Sequence, residues 1–331
     1  MPKSLPRAAH VAASLFSLLK NRPQIGGAIV KDDKSAYWCA DAIKALGREV
    51  FALPDLRADF GDDLRSYQSE LIAFSEALGG FYASKREDKF LIAPIASILK
   101  PIPSPKLFET ITLNFGDTID ITALQKRLID WGYDMVDTIE QKGEASFRGE
   151  VIDIFCAPHE NAIRILLDQT QIESIRYIDI ATQKSEKTEL ESVAIRPALF
   201  AIEGEAGKRL RDLIASDESD AFIKDALGVG LWKLPALGLS VSFDEIADFC
   251  LAEELSQELD ELYINHDNMP PRKSVEKLLV APEIGAFKAL LADDPKTLIE
   301  FHKTKQITIA LAYETQLKAN AIDLKNAPKN A

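Results

Sequence analysis

Val151-Ile152-Asp153-Ile154-Phe155, preceded by Ala145-Ser146-Phe147-Arg148 and a Gly149-Glu150 break, decides how the middle of this 331-residue chain is read. Four apolar residues around one carboxylate, in a run of five, make a strand with both faces at least partly covered. Val151, Asp153 and Phe155 share one face, and Ile152 and Ile154 point to the other. Further strand patterns follow at 162–167, 171–178 and 189–195 with no helical pattern between them, which predicts an antiparallel sheet. Ahead of it, a turn at Asn114 to Asp117 leads into a helix capped by Asp120. Ile121, Leu124, Leu128 and Trp131 fall on one face of that helix, and Gly132 stands just past its end. The middle third is therefore expected to be an α+β module.

Toward the N-terminus the pattern alternates between helix and strand, as in an α/β layer fold. Arg7 to Lys20 is helical with Val11, Leu15, Leu18 and Leu19 on one face. Gly26 to Val30 reads as a buried strand and Ala36 to Leu46 as a helix ended by Gly47. Val50 to Leu53 is a second strand, Asp63 to Leu78 a helix closed by Gly79-Gly80, and Lys89 to Ala93 a third strand. Such a sheet resembles a nucleotide-binding one, whose phosphate loop needs glycines, a Lys and a Ser or Thr. After the first strand the chain instead reads Lys31-Asp32-Asp33-Lys34-Ser35, with no glycine and two carboxylates that repel a triphosphate. Pro94 follows the third strand where an acid would hold Mg²⁺. Gly204-Glu205-Ala206-Gly207-Lys208-Arg209 has the wrong spacing and lies in a helical run.

Other catalytic constellations fail as well. No GxSxG elbow occurs, His159-Glu160 lacks the second His of a zinc helix, and His10, His159, His266 and His302 show no ligand spacing. The acid pairs Asp62-Asp63 and Asp293-Asp294 read as helix N-terminal charges. Cys39, Cys156 and Cys250 lie far apart, so neither a disulfide framework nor a zinc site is suggested, and no metal or cofactor is expected.

Composition agrees with a globular protein of roughly two domains: 47% of residues are hydrophobic and 27% charged. Formal charge is 39 minus 52, or -13, which argues against a surface built as a whole to grip phosphate backbones. Residues 111–200 carry 9 basic and 16 acidic groups, and Asp212 to Asp267 carries 14 acids against Lys224 and Lys233 alone. That acidic stretch should repel nucleic acid, as a solvated helical face or as a docking face for a basic partner. The first twenty residues mix polar and apolar side chains within each turn, unlike a signal peptide or membrane span, so a cytoplasmic protein is expected.

A resemblance to one family is carried by Gly116 through Leu128, Gly132-Tyr133, Val136-Asp137, Gly143-Glu144 and Phe147-Arg148-Gly149-Glu150-Val151-Ile152-Asp153-Ile154-Phe155. It continues through Arg164-Ile165, Ile172 to Arg176, Asp179 and Thr182-Gln183. This region resembles the second domain of UvrB and of the UvrB-homology module at the N-terminus of bacterial transcription-repair coupling factors (Mfd). Leu53-Pro54-Asp55, Leu91 to Pro94 and Leu231 to Pro235 fit the flanking first domain in order. UvrB itself is set aside by the missing phosphate loop and damage-probing hairpin; Pro54 to Lys89 offers only Tyr67 and Tyr82 in a helical pattern. The resemblance implies a degenerate RecA-like (UvrB-like) α/β domain 1a over 1–113, an inserted antiparallel-sheet α+β domain 2 over 114–197, and a helical domain 1b-like segment over 198–331 returning to the first. The chain stops at Ala331 before any helicase motif and is expected to be an N-terminal piece of a longer protein.

The resemblance further implies a monomeric scaffold without membrane contact. Its second domain binds UvrA, the damage-recognition ATPase, while ATP, Mg²⁺, RNA polymerase and double-stranded DNA are engaged by the family's other domains. Residues 111–200 hold five arginines: Arg127, Arg148, Arg164, Arg176 and Arg196. Arginine's planar fork pairs carboxylates bidentately. Arg148 and Arg164 match the arginines by which the family holds UvrA. They are expected on one exposed region reached from neighbouring strands, with neither needed for folding. Asp168 stands where the family commonly carries an aromatic residue and is expected to mark a rebuilt contact; Arg176 joins from strand exposure alone. A damaged-DNA-binding module and a small-molecule α/β enzyme are the competing readings.

Overall fold

The computed structural model describes residues 11–12, 15–16, 18–19, 21–156, 159–216, 226–252, 255–265 and 272–279. His10, His266, His302, Asp293-Asp294, Lys224, part of the predicted first helix and part of the acidic 212–267 stretch lie outside these residues. In chain order the strands are β1 Gly27–Val30, β2 Val50–Ala52, β3 Phe90–Pro94, β4 Ile102–Pro103, β5 Ile111–Asn114, β6 Asp134–Met135, β7 Glu144–Arg148, β8 Val151–Ile154, β9 Ala162–Asp168, β10 Gln171–Asp179, β11 Lys184–Glu189, β12 Ser192–Ile195, β13 Ser240–Val241 and β14 Phe249–Leu251. The helices are α1 Asp33–Lys44, α2 Gln68–Ala83, α3 Ile95–Ile98, α4 Ile121–Asp130, α5 Gly204–Ser216, α6 Ala226–Leu237, α7 Phe243–Ile246, α8 Ser256–Asn265 and α9 Arg272–Leu279. The content is mixed α/β with several sheets, in two compact units.

The first unit takes its described residues from 1–60, 83–100 and 242–331. Its sheet has the order β14-β1-β3-β2, parallel throughout. β1 is Gly27-Ala28-Ile29-Val30 with every residue buried, as a parallel strand covered on both faces requires. Val11, Leu15, Phe16 and Leu19 of the N-terminal helix and Ala36, Cys39 and Ile43 of α1 share one core with Ala28, Val30, Phe90 and Ile92. Burial pushes the Cys250 thiol on β14 up to about 12.

The second unit takes residues 61–82 and 101–241. Its six-stranded sheet has the order β11-β10-β9-β8-β7-β6, antiparallel except where β6 runs parallel to β7. One face packs on α4: Ile152, Ile154, Ile163, Ile165, Ile172 and Ile175 meet Leu124, Leu128 and Trp131. The expected cap is present, with the Asp120 carboxylate accepting from the Ala123 N–H at 3.0 Å. Gly132, at φ 84°, ends the helix. β5 pairs β12 beside this core and β4 pairs β13.

Two expectations are corrected. α2 does not close at Gly79-Gly80 but runs to Ala83, and its first turn over Leu64–Tyr67 is a 3-10 helix. Gly79 is there for space: a Cβ would come within 2.7 Å of Phe108 Cδ1. The expected strand over 189–195 is two strands, since β11 ends at Glu189 on the sheet and β12 starts at Ser192 on β5. The expected strand over 171–178 is present as β10, with an irregularity. A register shift between Ile172 and Ser174 brings Ile172 and Ile175 to the same core and leaves Ser174 and Arg176 opposite.

Candidate functional site

The face of the six-stranded sheet away from α4 carries a row of polar residues across five strands. Ser146 on β7 lies opposite Asp153 on β8, Asp153 opposite Arg164 on β9, Arg164 opposite Arg176 on β10, and Arg176 opposite Glu189 on β11. Arg148 is two residues along from Ser146, where β7 turns into β8 through Gly149-Glu150. Gly149 has φ 63°, a region that favours glycine.

Asp153 has no solvent exposure. A buried carboxylate is costly unless paired and hydrogen-bonded, and here it is both. Arg164 donates from Nε to Oδ1 and from Nη2 to Oδ2, each at 2.7 Å, and Arg148 donates from Nη2 to Oδ2 at 2.5 Å. The hydrogen bond to Asp153 holds the Arg164 guanidinium above its ordinary pKa. Arg164 Nη1 also donates to the Gln183 carbonyl at 3.2 Å. Gln183 is held at φ 58° in the β10–β11 turn, its amide nitrogen donating to the carbonyls of Ile139 and Ile180.

The two arginines are not equally available. The Arg148 side chain is 44% exposed and that of Arg164 only 17%. Among the described residues Asp153 is the one hydrogen-bond partner of the Arg148 side chain. Both line a groove of about 600 Å³ with Thr138, Gln183 and Ser185, over an apolar floor of Val151 and Leu166. Two guanidiniums against one carboxylate leave the cluster at +1. It therefore offers an anion a positive edge beside apolar surface. The expectation that neither arginine is needed for folding is opposed at Arg164 by its pairing with a buried charge.

Arg176 stands one strand further on, donating to Glu189 Oε1 at 2.6 Å and Ser174 Oγ at 3.0 Å. That pairing holds the Glu189 carboxyl below the usual carboxylate range. Like charges opposite each other on neighbouring strands repel, and Arg164 and Arg176 stand so only because each has its own carboxylate. Asp168 is exposed at the end of β9, opposite Gln171 in a tight hairpin, and does not line the groove. Arg127 and Arg196 lie elsewhere, near Glu203 and Cys156 respectively. Sequence reasoning missed Gln183 and the role of Asp153. Its signal was present, because a carboxylate amid Val151, Ile152 and Ile154 demands a cation.

In the first unit, Asp32 caps α1 with its own carboxylate, accepting from the Ser35 N–H at 2.8 Å, and Asp33 accepts from the Asp55 N–H at 2.7 Å. The helix end where a phosphate would dock is thus occupied by the Asp32 carboxylate. His159 takes a structural part, with Nε2 3.1 Å from the Ala194 carbonyl.

Residues 111–199 match the family model of the UvrB interaction domain. The matched segment runs from β5 to just past β12 and holds every residue of the polar row. Two transcription-repair-coupling factors of Helicobacter pylori are similar over 208 residues, at 33% identity for strain J99 and 34% for strain 26695. The chain resembles the transcription-repair-coupling factors. Each Helicobacter alignment covers 62% of this chain and 21% of the coupling factor. The Bacillus subtilis coupling factor is 34% identical over 114 residues, 34% of this chain and 10% of that protein. The chain thus spans about a fifth of the length of the coupling factors it matches best among these.

Proposed function

We propose that this chain is the N-terminal module of a cytoplasmic transcription-repair coupling factor, and that its middle module binds UvrA and so recruits nucleotide excision repair to stalled RNA polymerase. One observation carries the reading: the segment matching the UvrB interaction domain bears Arg148 and Arg164 around the buried Asp153, facing an open groove. Arg148 is the contact residue and Arg164 its support; Arg176 and Asp168 extend the surface along β10 and β9. The order β14-β1-β3-β2 supports reading the first unit as a degenerate RecA-like, UvrB-like domain. The carboxylates at the start of α1 support a scaffold role without ATP hydrolysis for this module. ATP-dependent translocation, Mg²⁺, double-stranded DNA and RNA polymerase contacts belong, on this reading, to the rest of the coupling factor. The experiment is a titration of purified UvrA against this chain. Saturable binding is expected, and it should survive charge reversal at Lys208 and Arg209 of α5, which lie outside the groove; absence of binding overturns the proposal.

A further inference from the structure

We infer that Asp153 is a positioning residue of this site, fixing Arg148 so that the groove selects its partner by geometry rather than by net positive charge. The inference rests on the UvrA-binding reading and goes beyond it, since a buried acid in a site for an anionic surface is, on charge alone, unfavourable. Its carboxylate cannot wander. Ile152 and Ile154 on either side are fully buried in the core beneath, and β8 is hydrogen-bonded to a neighbour on both edges. Arg164 fills one side of the carboxylate with two bonds and is itself braced by the Gln183 carbonyl. Oδ2, which already accepts from Arg164, takes a second hydrogen bond from Arg148 Nη2. Arg148 is thus held at one corner of its fork where it lines the groove. A long side chain already held in its binding pose loses less conformational freedom when a partner arrives.

Charge and geometry make opposite predictions for Asp153→Asn. The substitution keeps the shape and raises the cluster from +1 to +2, so a site working by net charge binds UvrA as well or better. A site working by geometry binds it less well, by about tenfold or more, because Arg148 is released. The test is a double-mutant cycle, with UvrA affinity measured for the parent, Asp153→Asn, Arg148→Ala and the double variant, and melting temperature followed throughout. If Asp153 acts through Arg148, the Asn substitution weakens the parent but adds no more than about twofold once Arg148 is gone. Parent-like or tighter binding by Asp153→Asn overturns the inference while leaving UvrA binding intact. So does an equal loss in both backgrounds, which would mean that Asp153 acts through the fold alone. A parent chain that captures no UvrA overturns the functional reading and this inference with it. Should Asp153→Asn fail to fold, Arg148→Lys keeps the charge without the planar fork; it should lose about tenfold, and parent-like capture overturns the inference.

Discussion

Arg164 and Arg148 share one carboxylate and differ in what they contribute. Arg164 offers Asp153 two hydrogen bonds from a largely covered position; Arg148 offers one from an exposed one. Removing one partner of a buried pair leaves an uncompensated charge, so Arg164→Ala should cost about 3 kcal/mol of stability. Arg148→Ala should cost under about 1 kcal/mol, in the range of exposed ion pairs. Denaturant melts of the two variants check this, and equal losses would contradict the assigned division. Both arginines were legible as candidates from the sequence. Their inequality was not, because it depends on the cross-strand register that sets Arg164, and not Arg148, opposite Asp153.

Elements were most legible where cause and effect are close in sequence. Asp120, the stripe Leu124 and Leu128, and Gly132 all act within α4 and its ends, and the structure follows them. Trp131 is 2% exposed in the same core, with its indole N–H donating to Glu203. Trp131→Ala should therefore destabilise by roughly 3–5 kcal/mol; a loss below about 1 kcal/mol in urea melts would show that the ring does not anchor the sheet. Elements governed from a distance were missed. α2 continues through Gly79 because Phe108, packed against Tyr82 and Phe200, needs the space a side chain would take. Gly-to-Ala in a helix ordinarily stabilises by up to about 1 kcal/mol. Gly79→Ala should instead destabilise by about 1–3 kcal/mol through overpacking, and a raised melting temperature would refute the close contact. β11 carried no signal because Lys184-Ser185-Glu186-Lys187-Thr188-Glu189 is exposed throughout and held by its ladder to β10.

At the scale of the whole molecule, the charge balance gives the arginine row its meaning. A chain at -13, whose middle third has 9 bases against 16 acids, repels phosphate backbones in general yet keeps one ordered positive edge on one sheet face. Such a surface, narrow and set in an acidic chain, suits a protein partner with a matching acidic site better than nucleic acid. In the first unit the start of α1, next after β1, is occupied by the Asp32 carboxylate, which accepts from the Ser35 N–H. Arg148 is the contact residue of the proposed site, and UvrA affinity of Arg148→Ala beside the parent tests that role most directly. A hot-spot arginine removes about 2 kcal/mol or more of binding free energy, so the dissociation constant should rise roughly thirtyfold or more, at about 1.4 kcal/mol per decade, while the melting temperature barely moves. A variant that binds UvrA as tightly as the parent would contradict the account.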